Sequence, residues 1–209
     1  MRPTTRTLFN YWNEVRAGRL APDRLEIEPS RIAAILSETF MLQRADPDSY
    51  RYRLAGTRLC ELFGAELRDR SFLDFWRKED GAAITRSLCA VCEQGAVGVL
   101  TLESGEGPRR RMELEAILLP LLDGRKSLSR VLGAMTPVLP HGLPHPPLGP
   151  CRLLRQELVW PEGWPHAFAP VEKAAREAPL LPQRSTRGLA VRRFRVLDGG
   201  RSTRKDDGD

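Results

Sequence analysis

Hydrophobic and polar residues follow a helical period at the start of the chain. Residues 7–17 place Leu8, Tyr11, Trp12 and Val15 at spacings of i, i+3, i+4 and i+7. This spacing predicts one apolar face of an amphipathic helix. The apolar stripe is larger than a lone surface helix carries, so we expect it to pack on a sheet or on a second chain.

The pattern then changes to the alternation of apolar and polar residues that is typical of strands. Residues 39–43 and 50–54 predict a hairpin, in which Tyr52 and Leu54 share one face. The later part of the pattern predicts three more strands, over residues 97–103, 109–122 and 128–136.

Two helices are predicted between the hairpin and the last three strands. The first covers residues 58–63, and the hydroxyl of Thr57 is a candidate for its N-terminal cap. The second covers residues 81–94, with Asp80 as its predicted cap and Leu88 in its buried stripe. The order of elements therefore predicts an α+β fold.

The composition changes after residue 136. Residues 137–182 contain 11 of the 17 prolines and all three histidines, which predicts a linker, interrupted by a short helix over residues 152–160. Seven Arg or Lys residues follow between Arg187 and Lys205, and most of the last 40 residues are predicted to be disordered. The predicted organisation is a helical cap (1–38), a sheet domain (39–136), and a linker with a basic tail (137–209).

The formal net charge of +6 fits a partner that is nucleic acid, an acidic membrane surface or another acidic molecule. A solvated basic surface with a basic tail is the favoured interpretation. The sequence contains no run of about 18 apolar residues and no signal-peptide pattern. Four cysteines are too few for a disulfide scaffold. We therefore expect a cytoplasmic protein without a membrane span.

Candidate chemistry is sparse in this sequence. Cys89 and Cys92 form a CxxC pair near the end of the long helix, where packing in or beside the core is the favoured interpretation. Histidines 141, 145 and 166 could hold a metal together with Cys151, although their proline-rich context favours solvated loop residues. No nucleophile–histidine–acid set and no phosphate loop is present, so we expect neither an enzyme nor a metal site.

Several short motifs resemble a bacterial family of small stand-alone PAS proteins with an N-terminal helical cap. The motifs are Tyr11-Trp12, the run from Phe40 to Leu42, the run from Tyr52 to Leu59 (YRLAGTRL), Leu62-Phe63-Gly64 and Leu132-Gly133. They extend over about residues 7–136. The resemblance implies a five-stranded antiparallel sheet with helices on one face.

The resemblance also implies a sensory or protein-interaction module that acts through a separate effector protein. It implies a homodimer, with Leu8, Tyr11, Trp12 and Val15 in the cap or dimer contact, and an interior pocket for a small apolar ligand. The residues expected to line that pocket are Tyr52, Leu54, Leu88, Leu100, Leu102, Met112, Leu114 and Leu132.

Two cofactors known in PAS proteins are not expected here. Helix 81–94 has no histidine to ligate haem, and the Asn-Cys-Arg-Phe motif that binds flavin through a cysteine is missing from the sequence. The sequence leaves open which cofactor, if any, is bound. The alternative function, a nucleic-acid-binding regulator, depends on the tail between Arg187 and Lys205. We expect this tail to bind weakly and without sequence preference at low salt, and the binding to disappear near physiological salt.

Overall fold

The computed structural model describes residues 1–105, 111–124, 127–138 and 147–161. Three α-helices and six strands form the framework of these residues: α1 (Pro3–Arg16), β1 (Thr39–Asp46), β2 (Ser49–Ala55), α2 (Thr57–Phe63), α3 (Gly81–Gln94), β3 (Val97–Ser104), β4 (Met112–Leu121), β5 (Arg130–Pro137) and β6 (Arg152–Val159). Short 3₁₀ helices cover Arg24–Glu26, Pro29–Glu38, Phe72–Phe75 and Lys78–Asp80. We call Pro29–Glu38 the cap segment.

All six strands belong to one antiparallel sheet, in the order β2-β1-β5-β4-β3-β6. The predicted α+β class, with an antiparallel sheet and an N-terminal helix, is confirmed. Strands β1 to β5 correspond to the five predicted strands, with ends that differ by a few residues. The sixth strand was not predicted.

Strand β6 corrects the helix predicted over residues 152–160. These residues lie along β3, where Leu158 pairs with Gly98 and Arg152 pairs with Glu103. Their Leu, Arg, Gln and Glu side chains favour a helix locally. The backbone hydrogen bonds offered by the free edge of β3 outweigh that preference, because buried peptide groups need partners. The sheet therefore continues beyond residue 136, into the predicted linker.

The sheet separates two apolar clusters. The inner core lies between the sheet and the layer formed by α2 and α3, and it includes Phe40, Tyr52, Phe72, Leu88, Leu100 and Leu114. The outer core lies between the sheet and the layer formed by α1 and the cap segment, and it includes Leu8, Trp12, Ile32, Met41, Ile117 and Leu132. Both faces of the sheet are therefore covered, which is why its central strands are apolar on both sides.

The two 14-residue helices, α1 and α3, lie on opposite faces of the sheet. Helix α1 ends at Ala17, whose φ is 48°, and α3 ends at Gly95, whose φ is 68°. The left-handed conformation at Gly95 suits glycine and explains why the helix ends there. Within the described ranges, no helix is both long enough and apolar enough to cross a membrane.

Neither predicted side-chain cap forms. Gly56 occupies the N-cap position of α2, and the hydroxyl of Thr57 caps no amide there. Asp80 is the N-cap residue of α3, but its side chain caps no amide of that helix. Its Oδ2 instead accepts a hydrogen bond from the backbone N of Leu153, at 2.9 Å. Asp80 thus links the start of α3 to β6.

Candidate functional site

Six of the eight residues predicted to line a pocket lie together in the inner core. They are Tyr52, Leu88, Leu100, Leu102, Met112 and Leu114. Strand β4 alternates as the sequence predicts, so Met112 and Leu114 share this face. Leu88 reaches the same cluster from α3 and is fully buried.

Aromatic rings fill the inner core around Tyr52. The centroid of its ring lies 5.7 Å from that of Phe40 and 5.6 Å from that of Phe72. Phe63 and Phe75 pack beside them with centroids 4.7 Å apart. These separations are those of rings in direct contact. Side chains therefore occupy the space around Tyr52 in which the sequence predicted a ligand.

The ionisable groups of the inner core are held in their neutral forms. Burial raises the pKa of the Tyr52 hydroxyl well above its ordinary value. Burial also raises the pKa of Cys92 and that of Cys151 to about 12. Neutral thiols are weak nucleophiles and weak metal ligands. Cys92 packs in the core as predicted, while Cys89 is half-buried, with its Sγ 3.7 Å from the hydroxyl of Tyr50.

Leu132 lies on the opposite face of the sheet from the six residues above, which corrects its predicted place. Along β5, Val131 and Met135 point into the inner core. The intervening Leu132 and Ala134 therefore point into the outer core, because successive side chains alternate between faces. Leu132 was assigned to the wrong face because residues 131–135 of β5 are apolar or glycine at every position, so no alternation of polar residues marks the two faces.

Leu54 also lies on the outer face, because β2 contains a bulge. Met41 pairs with Leu54, whereas the next residue, Leu42, pairs with Tyr52, so that Arg53 is left without a partner in the ladder. The extra residue breaks the alternation that would have placed Leu54 beside Tyr52. The side chain of Leu54 is 62% exposed.

Leu54 and Leu132 line an apolar groove on the outer face, with a volume of about 410 Å³. The groove lies between the cap segment and strands β1, β2 and β5. Its apolar walls include Ile27, Ile32, Leu36, Met41, Leu54 and Leu132. Ligand sites typically have volumes of about 300–1,000 Å³ and mostly apolar walls. The groove therefore has the size and the lining of a site for a small molecule.

The groove was not predicted from the sequence. Its lining residues belong to the cap segment, to β1 and to the bulged part of β2, and no local sequence pattern indicates where that bulge lies. Leu36 of the cap segment and Leu54 remain 42% and 62% exposed, which marks a surface that the chain leaves partly uncovered. Because this exposure is known only from the structure, the sequence offered no signal for the groove.

Three contacts hold the cap segment against the rest of the molecule at the groove. Gly56, between β2 and α2, lies so close to Ser37 that a Cβ at position 56 would overlap the Ser37 carbonyl. The carboxylate of Glu38 accepts a hydrogen bond from Thr4 Oγ1 at 2.7 Å and pairs with Arg58 Nη1 at 2.9 Å. The end of the cap segment is therefore connected to both α1 and α2.

The predicted cap residues pack on the sheet of their own chain. Leu8 and Trp12 are fully buried, Tyr11 is 6% exposed, and Val15 packs against the same outer core. The Nε1 of Trp12 donates a hydrogen bond to the Pro120 carbonyl at 2.8 Å. Of the two alternatives predicted for this stripe, the structure contains the contact with the sheet. The homodimer stays a prediction, and its interface would have to be formed by a surface other than this stripe.

Several predicted features lie outside the described residues. They are His141, His145 and His166, together with the basic tail between Arg187 and Lys205. Of the candidate metal set only Cys151 is described, and it is buried just before β6. Nucleic-acid binding by the tail stays a prediction.

Residues 1–136 match the family model of the PAS domain. A solved structure of VqmA bound to DPO is 15% identical, with a TM-score of 0.39, and the similarity covers 54% of this chain and 58% of that one. A structure of the Vibrio cholerae VqmA dimer without target DNA is 16% identical, with a TM-score of 0.39 and coverages of 54% and 52%. The similarity thus spans just over half of those solved chains. No curated protein matches the sequence.

Proposed function

This chain belongs to the PAS domain family, and we propose that it is a cytoplasmic sensory module that acts on a separate effector protein. The observation that carries the proposal is the apolar groove between the cap segment and the sheet. We propose that a small molecule with an apolar body binds there, rather than in the inner core around Tyr52. The size and lining of the groove support this assignment.

The position of the groove supports a role in signalling, because one of its walls can respond to a ligand. The cap segment forms that wall, and its last residue, Glu38, contacts Thr4 of α1 and Arg58 of α2. A ligand shifts a protein between two arrangements only when it binds one of them more tightly. A ligand that prefers one position of the cap segment would therefore change the surface that the cap presents to an effector.

The proposal is tested by adding 1-octanol, a small apolar probe, to isotope-labelled protein. We expect shifts of backbone amide NMR signals that are concentrated at residues 27–41, 54–57 and 132. Leu54→Asp places a carboxylate at the groove and should weaken binding of the probe at least tenfold, about the effect of losing 1.4 kcal/mol of binding free energy.

Leu154→Asp is the matched control, because Leu154 is an exposed leucine of β6, at the opposite edge of the sheet. This variant should bind 1-octanol as the parent protein does. If the amide shifts fall in the inner core, or if both variants bind the probe equally well, the groove is not the ligand site.

A further inference from the structure

Two arginines meet on the outer face of the sheet, two residues along strands β1 and β5 from the groove. Arg130 of β5 pairs with Gln43 of β1. The side-chain oxygen of Gln43 accepts a hydrogen bond from Arg53 Nε at 2.5 Å. The Gln43 side chain thus holds the Arg53 guanidinium on the face that Arg130 occupies.

A third arginine reaches the same place from the connection between α1 and the cap segment. Arg24 donates its backbone N–H to the Leu122 carbonyl at 2.9 Å. Leu121, the residue before Leu122, pairs with Arg130 in the β4–β5 ladder. Arg24 is therefore anchored beside Arg130. We call Arg24, Arg53 and Arg130 the arginine cluster.

The guanidinium of Arg130 has few compensating partners among the described residues. Its Nε is buried and has no hydrogen-bond partner. Burial lowers the pKa of this guanidinium, and the charges of Arg24 and Arg53 lower it further, while Asp123 alone raises it. Asp123 is itself engaged, since it accepts hydrogen bonds from Ser129 Oγ and from the backbone N of residue 127. A buried donor without a partner is destabilising, so an additional acceptor would be stabilising.

A second acid near the cluster, Asp69, pairs with Arg53 and not with Arg130. Asp69 pairs with Arg53 Nη1 at 3.0 Å, and both of these side chains are about half exposed. Such an exposed pair contributes little and leaves Arg53 open to a second anion. Asp23 and Glu26, which flank Arg24, cap the short helix Arg24–Glu26, and Glu26 also pairs with Arg19.

The arginine cluster continues the surface of the groove. Leu132 and Met41 line the groove, and Arg130 and Gln43 are their next neighbours on the same face of β5 and β1. Residues two apart on a strand are separated by about 7 Å. Along the connection from α1, Ile27 of the groove wall follows Arg24 by three residues. The apolar lining of the groove and the arginine cluster thus lie next to each other on the outer face of the sheet.

We propose that the groove and the arginine cluster form a single site for a small amphipathic anion. The apolar body of the ligand lies in the groove, and its carboxylate, or another oxyanion, accepts hydrogen bonds from Arg130 and its neighbours. Arginine suits this role because its planar guanidinium presents several donors to one oxyanion. This inference rests on the proposed function, because it assigns a ligand class to the same groove.

The experiment compares octanoate with 1-octanol, which has the same chain length but no charge. Arg130→Met keeps the long stem of the side chain and removes the guanidinium. We expect octanoate to bind the parent protein more tightly than 1-octanol does, and Arg130→Met to weaken octanoate binding roughly tenfold to hundredfold. Binding of 1-octanol should change little. The NMR signal of Arg130 Nε–H should shift with octanoate only.

Arg155→Met serves as the control, since Arg155 is an exposed arginine of β6 and lies at the far edge of the sheet. Octanoate should bind this variant as it binds the parent protein. Equal binding of the two probes, unaffected by Arg130→Met, overturns the anion site and leaves the apolar groove in place. If neither probe binds at millimolar concentration, the groove is not a ligand site, and both proposals fail.

Discussion

The ring of Phe40 lies over Gly133 of the neighbouring strand, at a point where the two residues are partners in the β1–β5 ladder. A Cβ at Gly133 would overlap Phe40 Cζ and would lie 2.7 Å from the Ile117 carbonyl oxygen. Because glycine has no side chain, the Phe40 ring can pack directly against position 133 of β5. From there the ring reaches Tyr52 and Phe72.

Gly133→Ala should consequently lower the free energy of unfolding by about 1–3 kcal/mol. The added methyl group must displace the Phe40 ring or the backbone of β4, and overpacking of a filled core has a cost of this size. Denaturant unfolding measures the change. Gly149→Ala is the control, because a Cβ at Gly149 meets no atom within 4 Å. Equal stability of the two variants would contradict the packing described for Phe40.

Strand β6 should be needed for full stability. A chain that ends at residue 138 loses the β6 pairing with β3 and the buried side chains of Leu148 and Cys151. Loss of one buried leucine alone typically costs about 2–5 kcal/mol. We expect thermal unfolding of residues 1–138 at a clearly lower temperature than that of residues 1–161. Coincident melting curves would show that β6 adds nothing to the folded unit.

Arg130→Met should raise stability when no ligand is present. The variant removes a buried, unpartnered Nε and relieves the repulsion from Arg24 and Arg53. The gain should be about 1 kcal/mol, the lower end of the cost of an unsatisfied buried donor. Chemical denaturation of the ligand-free protein measures it, with Arg155→Met as the comparison. A loss of stability in the Arg130 variant would show that this guanidinium is already satisfied.

Stability should fall as the pH rises above about 9. Cys92 and Cys151 have an ordinary pKa of 9.0, and burial raises it to about 12 in the folded protein. Between these values the unfolded chain has released the two protons and the folded chain retains them. Raising the pH therefore favours unfolding. At pH 10.5 each thiol should reduce the free energy of unfolding by about 2 kcal/mol relative to pH 8.

The check is to replace both buried thiols with valine, which cannot ionise. Denaturant unfolding at pH 8 and at pH 10.5 should show a smaller loss of stability in the Cys92→Val, Cys151→Val protein. The buried Tyr52 hydroxyl, whose pKa is also raised, should account for part of the loss that remains. An identical loss in both proteins would contradict the assignment to the thiols.

The sequence predicted the helices and the first five strands because their apolar periods are local. Helix α3 and the alternation of Met112 and Leu114 in β4 are examples. The inner-core residues followed from that alternation. Two features were not predicted from the sequence, because each depends on pairing between strands and not on a local pattern. Leu54 changes face at a bulge, and β6 forms because β3 has an unpaired edge.

The candidate site was predictable only in part for the same physical reason. Leu54 and Leu132 were predicted to line an interior pocket together with Tyr52, and this assignment is wrong, because both line the groove on the outer face of the sheet. The arginine cluster brings together residues 24, 53 and 130, which are far apart in the sequence. Only the strand pairing, with Gln43 between Arg53 and Arg130, reveals that they meet.

The two layers on the sheet each contain a tryptophan, which gives the molecule two built-in fluorescent reporters. Trp12 lies in the outer core, with the Arg16 guanidinium 5.4 Å from its ring centroid. Trp76 lies in the inner core, against Phe72 at 5.6 Å. With Trp160 and Trp164 replaced by phenylalanine, a further exchange of Trp76 or Trp12 leaves one emitter on a known face. Movement of the cap and loosening of the aromatic interior can then be recorded as separate optical signals from the same protein.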